Sequence, residues 1–598
     1  MHHPPRLISG FRLVSSFAFS FCCFSFLVAG CGTLFPSPPA PKVEAPLHPI
    51  RLNSFGYLPE SPKIATVIAP GGALFNVRSA ADDSVIWNSA MGKAMTEEFT
   101  SAPLFQADFT EFCSTGSFYI EVPDLGRSPT FTVGTNVYSD LLTQAMIGMY
   151  GQRCGTGVHI TLDGDTWSHG ACHQKDGALN YLTGHDGTQA SVGGWHDAGD
   201  YGKYTTNGAF AAGMMLAAWE QFQPAVSTLS LPIPEHGGAL PDFLAEVKWE
   251  LDWLLTMPAP DGLGGIPHKL TALKFEGFVM PEADASGRFF TEIGTAATAD
   301  FIAVTAKAAR LYQPFDSAYA DKLLAAARLS YAFLQADVCP DLTNPGKTKT
   351  CPVVPASPQF STGGYGDSND GDERIWAAAE LWETTGEDAF LADFESRTGK
   401  LQDPVASNFD WQNVGNLGMF TYLLSKRDGR DPAVVASLQA SLMKTAEALV
   451  ALATTNSYGR PMSYFWGANG AVARTAMNLA TANALAPDPR YVNAIVAGLD
   501  HLLGRNHYDR SQITMVGNNP PVHPHHRPSD ADGIDDPWPG LLVGGQDCPS
   551  GASNCATAQP YDWQDTDSAP NLNEIAINWN GALVYAAAAM AQWQASTP

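Results

Sequence analysis

Twelve alanine- and leucine-rich segments with helical periodicity follow one another from residue 138 to the end of the chain, the first being "YSDLLTQAMIGMYGQRC" and the last "EIAINWNGALVYAAAAMAQW". Many carry small residues on more than one face, as expected of helices that are packed on both sides. Because short and long connections alternate between the segments, we predict a double ring of helix hairpins, an (α/α)6 barrel. The long loops would lie at one face of the barrel and carry the chemistry.

Residues 49 to about 135 have a different pattern. The short runs "KIATVIA", "ALFNVRS", "SVIWNS", "LFQADFT" and "SFYIEV" are rich in β-branched and aromatic residues and are separated by Gly, Pro, Asp and Ser. This spacing predicts a small all-β sandwich. We therefore expect a sandwich over residues 49–135 and an all-α catalytic domain over residues 136–598.

The N-terminus has the pattern of an export signal. Arg6 and Arg12 precede the apolar run "LVSSFAFSFCCFSFLVAG", and the ending "LVAGC" looks like a lipobox that would make Cys31 the lipidated first residue. We predict a lipoprotein signal peptide over residues 1–30 and a proline-rich linker over residues 31–48. The alternative is an ordinary signal peptide with an incidental cysteine. Either form is exported, to the outer membrane or cell surface through the lipid on Cys31, or otherwise as a secreted protein.

The formal net charge of −26 excludes most nucleic-acid binding, which requires the opposite sign. An acidic surface is compatible with a neutral substrate and with bound cations. We expect a monomer that has no nucleic-acid partner.

The cysteines divide by context. In an exported protein the close pairs Cys339–Cys351 and Cys548–Cys555 are predicted to be disulfides, and Cys113 is predicted to be a buried thiol. Two further cysteines, Cys154 in "QRCGTG" and Cys172 in "HGACH", remain. On the residues alone, a disulfide between these two is favoured over a zinc site with His173 and His196, which would complete a tetrahedral set.

The stretch "GGWHDAGDYGKY" places Asp197 and Asp200 three residues apart in a glycine-rich turn before a helix, and we expect Gly199 to supply unusual backbone angles. Such a turn is suited to hold a water molecule for attack on a substrate. The alternatives are a calcium loop or a helix cap with spare carboxylates.

Two later stretches carry further candidates. In "NNPPVHPHHRPSDADG", His525 and Arg527 are suited to hydrogen bonding with hydroxyls, whereas the arginine argues against the metal site that a histidine-rich loop would otherwise suggest. In "NLNEIAINWNGALV", Glu574 is predicted to open the last long helix. It is either a partner of the helix dipole or, beside Ile575 and Ala576, a desolvated general acid.

Taken together, these three stretches resemble the motifs of the family 9 glycoside hydrolases, which are mostly cellulases, and they occur in the family's order. "RLNSFGYLPESPKIATV" resembles the start of the immunoglobulin-like domain that precedes many bacterial catalytic domains of this family. The resemblance covers nearly all of the chain after residue 49. It implies an immunoglobulin-like sandwich followed by an (α/α)6 barrel with an open cleft.

The resemblance also implies roles for individual residues. The family hydrolyses by inversion, so the two catalytic carboxyl groups should lie about 6.5–9.5 Å apart. Asp200 would be the general base, Asp197 would help to hold the water, and Glu574 would be the general acid. The residues assigned to substrate binding are His525, Arg527, Trp195 and Tyr204.

One position departs from the family pattern. Pro570 stands four residues before Glu574, where the family commonly has a tyrosine. We expect a contact near the acid to be missing, or to be supplied by Tyr561 or Trp563.

The resemblance further implies two structural metals. One bacterial branch of the family pairs "QRCG" and "ACH" with a histidine in the catalytic motif as a zinc site, which favours zinc over a disulfide at Cys154, Cys172, His173 and His196. For the acidic stretch "GGYGDSNDGDERIW", the family implies calcium held by Asp372, Glu373 and Asp410; the alternative is a solvated acidic loop with a helix cap.

We therefore predict an exported, inverting endo-β-1,4-glucanase that acts on cellulose or related β-glucans. An exo-acting enzyme on cello-oligosaccharides is the alternative within the class, with "TKTCPVVPASPQFSTGG" as a loop that would block the cleft. A non-catalytic, glycan-binding surface lipoprotein is the alternative outside it. The retention of Asp197, Asp200 and Glu574 argues against that second alternative.

Overall fold

The computed structural model of the protein describes residues 47–69, 71–72, 74–340, 347–547 and 563–596. Residues 50–133 form two sheets with strand orders β1-β3-β7-β6 and β2-β10-β8-β4-β5, and β9 pairs with β8. The strands are β1 Ile50–Arg51, β2 Gly56–Tyr57, β3 Ile64–Ile68, β4 Leu74–Ser79, β5 Val85–Ala90, β6 Ala94–Thr96, β7 Pro103–Asp108, β8 Gly116–Val122, β9 Gly126–Arg127 and β10 Phe131–Val133.

The two sheets share one apolar core. Ala65 and Val67 of one sheet and Phe75, Val77 and Ile120 of the other are fully buried in the same cluster. Apolar side chains alternate with more exposed ones along the strands, which is the pattern expected when one face of each sheet is covered. The prediction of a sandwich is confirmed, since each of the five predicted runs contains a strand.

The remainder of the described chain is mainly helical, and a 3-10 helix occupies Pro281–Ala283. The helices are α1 Val137–Gly151, α2 Thr205–Gln221, α3 Gln223–Val226, α4 Asp242–Leu254, α5 Thr295–Tyr312, α6 Ser317–Ala336, α7 Gly371–Thr385, α8 Asp388–Thr398, α9 Gly415–Leu424, α10 Pro432–Thr455, α11 Ala468–Leu485, α12 Pro489–Leu502, α13 Arg527–Ala531, α14 Pro570–Asn573 and α15 Ile577–Ser596.

Twelve of these helices form the predicted double ring. Helices α2, α5, α7, α9, α11 and α15 contact one another in sequence, and α15 closes the inner ring against α2. Helices α1, α4, α6, α8, α10 and α12 pack outside them. Every residue of α2 from Thr205 to Trp219 is buried, whereas the outer helix α6 buries a single stripe. Small residues on several faces therefore mark the inner helices, and the (α/α)6 barrel is confirmed.

Helix α10 is long and apolar enough by composition to cross a membrane, but in this fold it is an outer helix of the barrel that packs on α9, α11 and α12. Its apolar character comes from leucine and valine together with alanine. It therefore gives no independent indication of a membrane.

The segments before the inner helices converge at one face, because consecutive inner helices are separated by an outer helix that returns the chain. Short strands brace these segments: β11 Val158–Leu162 with β12 Asp165–His169, and the sheet of β13 Lys203–Tyr204, β14 Lys269–Ala272 and β15 Arg288–Phe290. Strands β16 Cys339–Pro340 and β17 Thr348–Lys349 form a third pair. The loops that lead into the inner helices are therefore the ones that can build a site.

Two predictions about cysteines outside the catalytic motifs can be tested in the described chain. Cys339 and Cys351 form a disulfide with an S–S distance of 2.07 Å, as predicted. Cys113 is exposed, so the prediction of a buried thiol is wrong. It lies in the turn after β7, where the neighbouring Phe112 takes the inward position. The predicted lipid site at Cys31 and the predicted Cys548–Cys555 disulfide lie outside the described residues.

Candidate active site

An open cleft of about 600 Å³ lies where the segments before the inner helices meet. It brings together residues from all three sequence motifs. The lining includes Asp197, Asp200, Tyr204, Phe275, Tyr365, Asp410, Trp411, Trp466, His525, Arg527, Pro570, Glu574, Asn578 and Trp579. The expected convergence of Asp200 and Glu574, 374 positions apart in the chain, on one groove is therefore present in the fold.

Asp200 is held by hydrogen-bond donors. Its Oδ2 accepts hydrogen bonds from the Gly202 N–H at 2.9 Å and from the Tyr204 hydroxyl at 3.0 Å. The Tyr204 hydroxyl in turn accepts a hydrogen bond from the Gly363 N–H at 2.9 Å. Tyr204 lines the cleft but is only 2% exposed, and its hydroxyl supports the Asp200 carboxyl group; its sugar contact stays a prediction.

Asp197 lies deeper in the same turn. Its two oxygens accept hydrogen bonds from the Asn207 amide at 2.6 Å and from the Tyr365 hydroxyl at 2.5 Å. Burial and the nearby charge of Asp200 raise the pKa of Asp197 to about 8, against the lowering effect of Tyr365 and Asn207. Burial therefore favours the protonated form of Asp197, beside the Asp200 carboxyl group that two donors hold.

The prediction that Glu574 opens the last long helix is wrong. It follows α14 and precedes α15 in an extended segment, with β-bridges from Glu574 to His525 and from Ala576 to Ala198. Burial, then the charges of Asp200 and Asp197, raise the pKa of Glu574 well above its ordinary value. A carboxyl group that stays protonated near neutral pH has the property of a general acid.

Gly199 has a different purpose from the one predicted. The left-handed backbone angles of this motif occur at Gly193 (φ 106°) and Gly194 (φ 75°), and Gly199 is not among these residues. A Cβ atom on Gly199 would lie 2.2 Å from the His525 carbonyl oxygen. Glycine is therefore required because the catalytic turn packs directly against the histidine-arginine segment.

That segment reaches the cleft with two side chains. The His525 Nδ1 donates a hydrogen bond to the Asp567 carbonyl at 2.5 Å, which leaves Nε2 unprotonated and available to accept. The Arg527 Nη1 donates to the Gly199 carbonyl at 2.6 Å. Both side chains line the cleft, as their predicted role requires.

The prediction that Trp195 binds substrate is wrong. The side chain is 1% exposed, and its Nε1 donates to Glu246 at 2.9 Å inside the barrel wall. The aromatic residues that do face the cleft include Trp466, which is 51% exposed, and Phe275, which is 46% exposed. The sequence did not single them out, because both lie in loops outside the three motifs.

The region around Pro570 shows what replaces the family's tyrosine. Pro570 itself lines the cleft, so no hydroxyl projects from this position. Trp563 is buried against Tyr508 and Arg510 and does not reach the acid. Tyr561 lies outside the described residues. The tyrosine hydroxyl groups in the cleft meet the aspartates instead, Tyr204 on Asp200 and Tyr365 on Asp197, and the sequence did not single out Tyr365.

A candidate metal site adjoins the catalytic turn. The ligand atoms of Cys154, Cys172, His173 and His196 all lie within 4.8 Å of one another. The two sulfurs are 3.9 Å apart, so both thiols are free and the disulfide alternative is not formed. The His173 Nε2 also meets Asp284 at 3.2 Å, the kind of outer partner that orients a metal-bound histidine.

A second group of charged side chains lies behind the Tyr365 loop. Asp300 and Glu373 are fully buried, and neither carboxyl group accepts a hydrogen bond from a donor among the described residues. Burial, then the charges of Asp300 and Asp372, raise the pKa of Glu373 to about 12. Asp372 and Asp367 complete a group of four carboxyl groups, which we call the acidic cluster.

Asp410 is not part of the acidic cluster, so its predicted role as a calcium ligand is wrong. Its carboxylate pairs with the Arg474 Nη2 at 2.5 Å and accepts from the Asn578 amide at 2.7 Å. A buried guanidinium group already neutralises this carboxylate, and Asp410 faces the substrate cleft instead. Asp367 lies in the acidic stretch that the sequence singled out, whereas Asp300, on a different helix, was missed.

The fold is an (α/α)6 barrel, and its open cleft holds aromatic side chains and two carboxyl groups in different surroundings. This is the arrangement of a glycoside hydrolase. The model of the family "Glycosyl hydrolase family 9" matches residues 138–587, and that of the "Cellulase N-terminal ig-like domain" matches residues 45–127. The chain belongs to glycosyl hydrolase family 9.

Individual relatives agree with this assignment. Endoglucanase D of Acetivibrio thermocellus is 44% identical over 541 residues, which cover 90% of this chain and 83% of that protein. A metagenome-derived family 9 endoglucanase matches with a TM-score of 0.82 and 35% identity, over 91% of this chain and 99% of that one. A zinc-binding triple mutant of the family 9 endoglucanase J30 matches with a TM-score of 0.79 and 31% identity, over 89% and 99% of the two chains.

Proposed function

We propose that the protein cleaves β-1,4-glucosidic bonds by inversion, with Asp200 as general base and Glu574 as general acid. The observation that carries this proposal is that two carboxyl groups on one cleft have different surroundings. Two donors contact Asp200, whereas burial and nearby negative charges raise the pKa of Glu574 and favour its protonated form. A base must be ionised and an acid protonated before the reaction starts.

The activity is that of an endo-β-1,4-glucanase. The chain shares 44% identity over most of its length with Endoglucanase D, and its barrel matches solved family 9 endoglucanases. The cleft opens to solvent, which is compatible with binding of a glucan chain. Trp466 and Phe275 offer exposed rings on which sugar faces can stack.

In the proposed reaction, a water molecule held by Asp200 and Asp197 attacks the anomeric carbon. The water gives one proton to Asp200, and Glu574 gives its proton to the departing glycosidic oxygen. One C–O bond forms as the other breaks on the opposite face of the sugar. A β-linked substrate therefore yields an α-configured product, and each carboxyl group returns to its starting state after proton exchange with solvent.

Zinc is the metal that we propose for the cysteine-histidine site. Tetrahedral zinc with its usual bond lengths places two sulfurs about 3.8 Å apart and two nitrogens about 3.3 Å apart. In this site the Sγ atoms of Cys154 and Cys172 are 3.9 Å apart, and the His173 Nδ1 and His196 Nε2 atoms are 3.3 Å apart. Four protein ligands leave no open position, so zinc here would hold the turn beside Asp197 and take no part in the chemistry.

Calcium is the cation that we propose for the acidic cluster. Asp300, Asp367, Asp372 and Glu373 supply hard oxygen ligands, which calcium prefers. Fully buried carboxyl groups without donors are costly unless a cation neutralises them. The bound ion would fix the loop that carries Tyr365 to Asp197, again without a part in the chemistry.

Export and anchoring remain a proposal from the sequence. We propose that Cys31 becomes the lipidated N-terminal residue and that the catalytic domain stays at the membrane surface. Mass spectrometry of the mature N-terminus after expression in a bacterial host tests this. A soluble secreted product that starts at a different residue would replace it with the ordinary signal peptide.

The decisive test of the reaction is the product from cellohexaose. Proton NMR during early hydrolysis should show the α-anomer first, whereas initial β-anomer would exclude inversion. The viscosity of carboxymethylcellulose should fall early relative to reducing-end release, as internal cleavage requires. A slow viscosity change with steady sugar release would indicate exo action.

A further inference from the structure

Glu276 lies on a loop, residues 273–280, that belongs to none of the three sequence motifs. Its neighbours Phe275, Phe278 and Val279 are 46%, 38% and 36% exposed, but the Glu276 side chain is only 6% exposed. A carboxylate that turns inward on an exposed loop must find buried partners. Those partners identify what the residue does.

Both partners belong to the catalytic machinery. The Glu276 Oε1 accepts the Tyr201 N–H at 3.0 Å and pairs with the Arg527 Nε at 2.8 Å. The Arg527 Nη2 also donates to the Glu276 carbonyl at 3.1 Å. Within the described chain, Glu276 is the one carboxylate that forms an ion pair with Arg527.

This ion pair holds the backbone on both sides of Asp200. Arg527 donates to the Gly199 carbonyl through Nη1 at 2.6 Å and through its backbone N–H at 3.2 Å. Glu276 accepts from the Tyr201 N–H, on the other side. The two peptide groups attached to the Asp200 Cα are therefore fixed by one buried pair of opposite charges.

We infer that Glu276 is a positioning residue for hydrolysis, which fixes the direction of the Asp200 carboxylate and holds Arg527 against the catalytic turn. The inference rests on the roles proposed above for Asp200 and Glu574. Glu276 does not line the cleft, so it acts through its partners and does not touch the sugar.

Glu276 should also affect the pKa of Glu574 indirectly, because it pairs with Arg527, whose charge lowers that pKa. The groups that face Glu574 are Asp200 and Asp197 on the turn and Arg527 and His525 on the adjoining segment; the two aspartates raise its pKa and Arg527 lowers it. Without the Glu276 carboxylate, the charge of Arg527 is no longer balanced. The pKa of Glu574 should then fall, and activity should be lost at a lower pH than in the wild type.

The test is Glu276→Gln, which keeps the shape and an acceptor but removes the charge. We expect kcat to fall about 10- to 100-fold while KM stays within about threefold, because misplacement of a catalytic group affects the chemical step more than binding. The alkaline limb of the pH–rate profile should move to lower pH. Activity is compared at a temperature at which circular dichroism shows that both proteins are folded.

Two further variants make the result interpretable. Glu276→Asp keeps the charge but shortens the reach, so kcat should fall while the alkaline limb stays near the wild-type position. Glu121→Gln removes a carboxylate that pairs with Arg78 at 2.6 Å in the sandwich and should change neither quantity.

A folded Glu276→Gln protein with kcat within about threefold of wild type, or with an unmoved alkaline limb, would overturn the inference. Failure of the underlying roles would look different. In that case the wild type would release the β-anomer from cellohexaose, or Asp200→Asn would keep its turnover.

Discussion

The two sides of the cleft are built in different ways. On the Asp197–Asp200 side, carboxylate oxygens meet the hydroxyl groups of Tyr204 and Tyr365, and the candidate cysteine-histidine metal site adjoins the turn through His196. On the Glu574 side, the support is backbone pairing. The Gly544 N–H donates to the Glu574 carbonyl at 2.8 Å, and Ile575 forms a β-bridge with Val543.

This difference follows from the chemistry required of each side. Donors that point at a carboxylate stabilise its charged form, so they suit a base that must be ionised. Backbone pairing places the Glu574 side chain where a backbone hydrogen bond from Gly199 lowers its pKa, but burial and the charges of Asp200 and Asp197 outweigh that effect and favour the protonated acid. The candidate cysteine-histidine site lies on the Asp side, where the glycine-rich turn of residues 193–199 has little rigidity of its own.

The largest expected effect comes from Asp200→Asn, because this change removes the proposed base and also a negative charge that raises the pKa of Glu574. We expect kcat to fall about 10²- to 10⁴-fold, since a general base contributes this much. The alkaline limb of the residual activity should shift to lower pH, because the charge of Asp200 is one cause of the raised pKa of Glu574. Hydrolysis of cellohexaose from pH 4 to 10 measures both effects.

Asp321→Asn is the control for that variant, since Asp321 is an exposed residue of the outer helix α6. It should leave the rate and the profile unchanged. Turnover of Asp200→Asn close to that of this control would remove Asp200 as the base.

The next effect tests the anchor of the Asp side alone. Cys172→Ser should abolish binding of about one zinc equivalent and lower Tm by about 5 °C or more, because a structural metal adds its binding energy to the folded state. We expect kcat to fall about 10- to 100-fold, since His196 adjoins Asp197. Elemental analysis, calorimetry and the cellohexaose assay measure the three quantities.

Cys113→Ser is the matched control, because its thiol is exposed and lies in the sandwich. It should retain zinc, Tm and activity. Purified wild-type protein without zinc, or with a Cys154–Cys172 disulfide by mass mapping, would contradict the assignment.

The barrel was predictable because its signal is periodic and repeated. Inner helices such as α2 are buried on all faces and therefore carry small residues throughout, which a sequence displays directly. The catalytic turn and Glu574 were found because each lies in a dense local motif. Trp195 shows the limit of this reasoning: it belongs to the motif but points into the barrel wall, and the motif alone does not give a side chain's direction.

The missed residues share another property. Tyr365, Asp300 and Glu276 each act through partners that are far away in the chain, at separations of 168 positions for Tyr365 and Asp197 and 251 for Glu276 and Arg527. Asp300 resembles an ordinary helix residue until the fold buries it beside Glu373. Only the closed ring creates these contacts, so no local pattern records them.

A smaller effect should come from Tyr365→Phe, which removes one donor from the Asp side. We expect kcat to fall about 10-fold, the usual scale for a hydrogen bond to a charged group. The Tyr365 hydroxyl lowers the pKa of Asp197, which is about 8 in the wild type. Without that hydroxyl, the midpoint of Asp197 ionisation should move to higher pH. A pH–rate profile from pH 6 to 10 records this shift.

Tyr331→Phe is the matched control for the loss of a tyrosine–aspartate hydrogen bond. Its hydroxyl donates to Asp393 at 2.9 Å between the outer helices α6 and α8. It should leave the profile in place. An unchanged profile in both variants would mean that Tyr365 merely packs against Trp411.

The smallest effect on activity should come from the acidic cluster, because its proposed calcium acts one step further from the reaction. In the absence of the cation, burial raises the pKa of Glu373 to about 12, so the native state holds a proton that the unfolded state loses near its ordinary pKa. Stability of the calcium-free protein should therefore fall as pH rises above about 4.3, and calcium should restore it.

Glu373→Gln separates the cation from the scaffold. The variant should be more stable than calcium-free wild type at pH 7, since glutamine is neutral without taking up a proton on folding. It should gain less stability from calcium. At 25 °C its kcat should stay within about threefold of wild type. Calorimetry with EGTA or excess calcium measures the two stabilities, with the surface variant Glu387→Gln as control. If wild-type Tm is the same in both conditions, no calcium binds here, and the four carboxyl groups must instead be stabilised by shared protons.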